Sequence, residues 1–151
     1  MTDQLLIGWR EWVQLPALGL GWLKTKTDTG ARTSALHAFY TEPFERDGIE
    51  WVRFGVHPMQ GTNEPEVHCE APLLERRVVT DSGGHSEERL VIKTELLLGR
   101  HSREIEVTLT DRDSMLFRML VGRTALTPNV IVEPGSSFLL GGDKNSPPES
   151  L

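Results

Sequence analysis

From Arg103 to Thr110 the chain reads REIEVTLT, and Ile105, Val107 and Leu109 alternate with Glu104, Glu106 and Thr108. A strand sends successive side chains to opposite faces, so this two-residue period predicts a half-buried β-strand. Leu90 to Leu98 predicts a second, with Leu90, Ile92, Leu96 and Leu98 on one face. Only Gly99 to Ser102 separates the two, which predicts an antiparallel hairpin. Further strands are expected over Leu5 to Val13, Trp22 to Thr27, Thr33 to Tyr40, Glu50 to His57, Val67 to Val79 and Val130 to Val132, most of them beside a Gly, Pro, Asn or Asp. Helical periodicity is scarce, and the one helix placed is short, starting near Gly122 or Arg123 and ended by Pro128. About eight short strands with so little helix predict an all-β barrel or sandwich.

The stretch Asp81 to Glu88, DSGGHSEE, interrupts two strand-like arms, Arg76 to Thr80 and Arg89 to Lys93. Gly83 and Gly84 can supply the positive φ of a hairpin tip there. Gly141 to Leu151, GGDKNSPPESL, is polar and rich in breakers, and is expected to be a disordered tail behind one domain spanning residues 1–140.

Composition narrows the class. A chain of 151 residues with 38% hydrophobic and 25% charged positions suits one domain with a real core. No apolar run approaches a membrane span, and the start MTDQLLIGWREW lacks the basic and long apolar stretches of a secretory signal, so a cytoplasmic address is expected. The lone Cys69 excludes an internal disulfide and a Cys-rich zinc knuckle. A net charge of -6 argues against nucleic acid or an anionic membrane as the main partner. Of the 16 basic residues, only Lys24, Lys26, Lys93 and Lys144 are lysines. The rest are arginines, the side chain suited to bidentate recognition of carboxylates.

The chemistry concentrates in Lys24 to Ala38, KTKTDTGARTSALHA, where a strand runs into Asp28-Thr29-Gly30-Ala31 and another leaves through Thr33. A carboxylate in such a tight loop can be approached by the backbone N–H of Gly30 and a neighbouring hydroxyl, because Gly lets the backbone come close. Asp-Thr-Gly taken alone favours an ordinary turn. Its counterpart is Phe117 to Leu126, FRMLVGRTAL, an apolar strand entering Gly122-Arg123 and then a helix-like Thr124-Ala125-Leu126.

The order Asp-Thr-Gly-Ala, a Gly-bearing hairpin, two alternating strands and apolar-apolar-Gly-Arg-x-x-Leu resembles the retropepsin-like aspartic proteases over roughly Trp22 to Leu126. The wording DTGARTSALHA, IKTELLLG, IEVTLTDR and FRMLVGRTAL is similar to a bacterial family of that superfamily often labelled ATP-dependent zinc proteases. The zinc and ATP parts of that label find no support in the residues. There is no HExxH, no GxxxxGK[ST], His37, His57, His68, His85 and His101 are scattered, and His68 and Cys69 point to opposite faces of one strand. No cofactor and no metal are expected.

The resemblance implies a closed acid-protease barrel with one short C-terminal helix, and hydrolysis by two carboxylates sharing a proton around a water. One chain carries one Asp-Thr-Gly, so the second carboxylate is expected from Asp28 of another copy across a two-fold axis, making a homodimer. In this frame Asp28, Thr29 and Gly30 are the catalytic loop, with the Thr29 hydroxyl bracing the two loops and Gly30 offering backbone contacts. Gly122 and Arg123 would lie behind the loop, and Asp81 to Glu88 would be the flap. Substrate contacts are implied for Ala31, Arg32 and Lys26 on the loop side, and for Ser82, Gly83 and Gly84 on the flap side. The polar, acidic flap, with Arg32 and Lys26 flanking the loop, points away from apolar peptides and towards acidic ones. Relatives that accompany ATP-grasp ligases imply a peptidase trimming glutamate or similar amino-acid tails from proteins. Two other readings remain from the residues: a silent retropepsin-like module for peptide binding or dimerisation, and a zinc-dependent peptidase.

Overall fold

The computed structural model describes residues 4–80, 82–111 and 117–148. Among them are eleven strands: β1 (Leu5–Gly8), β2 (Arg10–Leu15), β3 (Leu20–Asp28), β4 (Ser34–His37), β5 (Tyr40–Arg46), β6 (Ile49–Val56), β7 (Val67–Thr80), β8 (Ser86–Leu98), β9 (His101–Thr110), β10 (Met119–Gly122) and β11 (Val130–Glu133). The only α-helix among the described residues is α1 (Arg123–Leu126), with a single 3₁₀ turn at Pro16–Leu18. The all-β expectation with one short helix is met. No helix among the described residues is long and apolar enough to cross a membrane.

Nine strands form one sheet in the order β2-β3-β10-β4-β9-β8-β7-β6-β5, and a further pairing of Gln14 with Leu97 brings β2 against β8. β1 and β11 pair in parallel as a separate two-stranded sheet. The apolar faces meet in a core that includes Val13, Leu23, Leu36, Phe54, Ile92, Leu96 and Val107, each fully enclosed. Burying a side chain of this size stabilises by roughly 1.5–3 kcal/mol, which makes this core the main favourable term.

The expected antiparallel β8–β9 hairpin is present, but its connection is Gly99–Arg100 rather than Gly99 to Ser102, since His101 and Ser102 already pair with Leu98 and Leu97. β9 is more enclosed than simple alternation predicts, since Thr108 and Thr110 are buried along with Ile105, Val107 and Leu109. At this end both faces of β9 are enclosed, and the buried Thr108 hydroxyl is satisfied by donating to the Ser34 carbonyl of the adjacent β4 at 3.3 Å. The expected strand from Leu5 to Val13 is broken at Trp9 into β1 and β2. At the break the buried Glu11 carboxylate accepts the backbone N–H of Gly8 at 2.8 Å, bracing the bend at Trp9. The same carboxylate accepts the N–H groups of Leu139 at 2.8 Å and Leu140 at 3.1 Å.

The breaker-rich stretch from Gly141, expected to be disordered, makes specific contacts as far as Pro148. Trp12 Nε1 donates to the Asp143 carbonyl at 2.8 Å, Lys24 Nζ donates to the Lys144 carbonyl at 2.6 Å, and Asp143 caps its own turn by accepting from Asn145 and Ser146. A Cβ on Gly141 would lie 3.2 Å from the Pro148 side chain. Local polarity predicts fraying only where no distant partner satisfies the backbone. Here β2 and β3 supply that partner. Residues 149–151 of that tail, and residues 1–3 of the domain, lie outside the described residues.

Candidate active site

β3 and β4 are not neighbours, because β10 lies between them, parallel to β3 and antiparallel to β4. The connection from Asp28 to Ser34 must therefore pass over the end of β10, where Gly122 stands opposite Asp28. That crossing explains the glycine. A Cβ on Gly122 would lie 2.5 Å from the Thr33 carbonyl carbon and 2.7 Å from its oxygen. Gly122→Ala is therefore expected to cost about 1–3 kcal/mol by overpacking, and to displace the Asp28 loop. Urea unfolding together with peptide turnover checks both effects.

The loop is held from behind by a short ladder. Arg123 N donates to the Ala31 carbonyl at 2.7 Å and Thr124 N to the Arg32 carbonyl at 3.0 Å, while the Thr124 hydroxyl donates to the same Arg32 oxygen at 2.8 Å. The Arg123 guanidinium reaches the Thr29 carbonyl at 3.1 Å, and the Gly122 N–H donates to the buried Ser34 hydroxyl at 3.0 Å. The Ala31 N–H closes the turn on the Asp28 carbonyl at 3.2 Å. Every one of these bonds uses backbone groups or groups behind the loop. The Asp28 carboxylate and the Thr29 hydroxyl have no hydrogen-bond partner within the described residues. A Cβ on Gly30 would come no closer than 3.5 Å to Asp28 Oδ1, so Gly30 leaves the carboxylate open rather than covering it.

Asp28 opens onto a cleft of about 710 Å³ between its own loop and the β7–β8 hairpin. Gly30, Ala31, Arg32 and Thr33 line it from below, and Val78, Val79, Thr80 and Ser82 from the hairpin. Lys26 does not line it. That side chain is exposed on β3, between Arg10 of β2 and Leu120 of β10, a strand step of about 7 Å behind the loop. Gly83 and Gly84 are at the hairpin tip but not on the cleft wall, and Gly84 takes the left-handed φ of +83° expected of a tip glycine. The arms pair as far as Thr80 opposite Ser86, so Glu87 and Glu88 belong to β8 rather than to the tip. Asp81 lies outside the described residues.

Among the lining residues not anticipated from the sequence, two are charged, Arg77 and Arg89. The signal was present: counting three residues back from each side of the tip pair Thr80–Ser86 puts these arginines opposite each other. No histidine lines the cleft. His57 and His68 approach Glu66 at 3.6 and 3.7 Å on the β6–β7 side, but among the described residues no group of three His, Cys, Asp or Glu side chains is placed to hold a metal ion. Cys69 is buried, and burial pushes its thiol up to about 12, so it stays protonated and unreactive at neutral pH.

Fold and loop together define a class: an all-β domain of the retropepsin-like aspartic endopeptidase type, with one Asp-Thr-Gly loop in the chain. Residues 6–141 match the family described as retropepsin-like aspartic endopeptidase RimB, and the chain belongs to this RimB-like family. It is 46% identical over 141 residues to a protein of Parasynechococcus marenigrum named probable alpha-L-glutamate ligase, covering 93% of this chain and 30% of that protein. A protein of the same name from Shewanella halifaxensis is 43% identical over 152 residues, covering 100% of this chain and 33% of that protein. The chain thus spans about a third of the length of these relatives. Among solved structures it is similar to a Legionella pneumophila protein of unknown function, at 29% identity and a TM-score of 0.76, covering 90% of this chain and 98% of the other.

Proposed function

We propose that the chain is an aspartic peptidase. It hydrolyses peptide or amide bonds in acidic peptides, or in glutamate tails added to proteins by an ATP-grasp ligase, and it works as a homodimer with a water held between two Asp28 carboxylates. The observation that carries this reading is the Asp28 loop, which is fixed entirely from behind while its carboxylate faces a cleft large enough for several residues of an extended peptide. Two carboxylates at close range share one proton, so one accepts a proton from the attacking water while the other donates to the carbonyl oxygen. The glutamate-ligase name of the relatives supports a glutamate-bearing substrate, since a domain matched within such proteins is well placed to act on their products. The ring of strands completed by the Gln14–Leu97 pairing is read as the closed barrel of the acid proteases. A free, buried cysteine suits a reducing cytoplasm.

The two-fold partner has a face to meet. Leu6 and Ile131 are register partners on the β1–β11 sheet, and they are 52% and 47% exposed, an adjacent apolar pair on a short sheet. We assign a second copy of the chain to this face. Both side chains are only about half exposed, so covering them stabilises by roughly 1 kcal/mol each, and Leu6→Glu with Ile131→Glu is expected to weaken the dimer at least tenfold. Sedimentation or light scattering measures that, and hydrolysis of a glutamate-rich peptide measures the function. Activity is expected to persist in chelator and to rise per molecule with protein concentration. A strict monomer with full activity would overturn the shared site.

A further inference from the structure

We propose that Arg77 and Arg89 form a carboxylate-binding subsite on the β7–β8 hairpin, three residue pairs below its tip, one that selects an acidic substrate side chain. The proposal rests on the peptidase reading above and names the residues that set its specificity.

The two arginines are direct cross-strand partners, so their side chains share one face of the hairpin, and both line the cleft that holds Asp28. Like charges directly opposite each other destabilise a hairpin. Neither residue belongs to the buried core, and each is held in place by a carboxylate on its own strand, Arg77 also by one on β9. Arg77 is aimed at the active loop: one Nη donates to the Thr33 hydroxyl at 3.2 Å, the other to Glu106 at 3.0 Å and to Glu75. Arg89 is bound to Glu87 through Nε at 2.5 Å, and its two Nη groups have no partner among the described residues. The side chain of Arg89 is only 12% exposed, whereas the carboxylate that pairs with it is 42% exposed. Water therefore screens the carboxylate more than the guanidinium.

The charge balance of the cleft points the same way. A chain of net charge -6 lines this cleft with three arginines, Arg32, Arg77 and Arg89, and Asp28 is the only carboxylate among its described lining residues. Arg32 is exposed and makes no ion pair within the described residues. A glutamate carboxylate entering between Arg77 and Arg89 accepts from both guanidinium groups and offsets their mutual repulsion.

The test uses a labelled hexaglutamate peptide and its glutamine counterpart. For wild type, Arg89→Gln, Arg77→Gln and Arg89→Lys, kcat/KM is measured on both peptides. The Asp28→Asn protein, with and without Arg89→Gln, is titrated with both by fluorescence anisotropy. Arg89→Gln is expected to lose about ten- to a hundredfold in kcat/KM and in affinity for the glutamate peptide, with the glutamine peptide unchanged and Arg89→Lys intermediate. Should Arg77→Gln disturb folding through its Thr33 contact, Arg89→Gln alone decides. Equal losses on both peptides, or no discrimination by the Asp28→Asn protein, would overturn the subsite. Discrimination in binding with no hydrolysis by wild type would support the subsite and refute the peptidase reading instead.

Discussion

Replacing Asp28 with Asn is expected to lower peptide hydrolysis by about 10²–10⁴-fold or more, the range that follows from removing a group acting in general acid–base catalysis. The protein should still melt within about 2 °C of wild type, because an amide keeps the shape of the carboxylate and no bond of the fold is lost. Asp28 takes part in the loop only through its backbone, whose carbonyl accepts from Ala31, and the bonds from Arg123 and Thr124 that hold the loop are untouched by the change. The shared site adds a sharper expectation. A dimer that pairs one wild-type chain with one Asp28→Asn chain holds a single carboxylate and cannot share a proton between two. Mixing wild type with excess variant should therefore lower activity below simple dilution. Turnover, thermal melting and the mixing curve are measured on the same samples. Near wild-type turnover would move the chemistry away from Asp28, and loss in chelator with recovery on adding zinc would restore the metal reading.

What the sequence reveals depends on how locally each feature is encoded. The β8–β9 hairpin is legible because apolar residues recur with a two-residue period on one face of both strands, even though the opposite face is also enclosed at Val91, Thr108 and Thr110. β5 escapes such a reading because YTEPFER has no alternation: it is an edge strand, it contains Pro43, and only Tyr40 and Phe44 are even half-buried. Its turn is nonetheless written in the chain. Asp47 and Gly48 take φ of +53° and +78°, the paired left-handed conformation that makes Asp-Gly a hairpin signal. The active loop is legible as a motif, but the reason for Gly122 is not, since the clash that forbids a side chain there comes from Thr33 across an inserted strand. Arg77 and Arg89 need the hairpin register, which the sequence contains but single-residue inspection does not use. Lys26 misleads for the opposite reason: closeness to Asp28 along the chain does not place a side chain in the cleft.

Glu11 is the residue whose role is least visible in sequence and whose loss is expected to be most damaging to the fold. It lies 1% exposed and gathers three backbone N–H groups on one carboxylate, from Gly8 beside it and from Leu139 and Leu140 near the other end of the chain. Glu11→Ala leaves the buried Gly8 donor and the part-buried Leu139 and Leu140 donors without their carboxylate, and the cost of breaking three charge-assisted bonds is about 3–5 kcal/mol. In a chain of this size that lowers the melting temperature by roughly 10 °C. Glu11→Gln should fall between the two: the amide oxygen can still accept, but its NH₂ group is set against a backbone donor where an oxygen stood. The damage should also reach the active loop. The Thr27 hydroxyl donates to the Gly8 carbonyl at 2.9 Å, the Thr27 N–H donates to the Trp9 carbonyl at 2.7 Å, and the next residue is Asp28. Glu11→Gln is therefore expected to lower kcat at temperatures where far-ultraviolet circular dichroism still reports a folded chain. Denaturation curves for the three proteins, with turnover measured well below each midpoint, test the ordering wild type, Gln, Ala. Melting of the Ala variant within about 2 °C of wild type would show that water or a rearranged segment satisfies the three donors without the carboxylate.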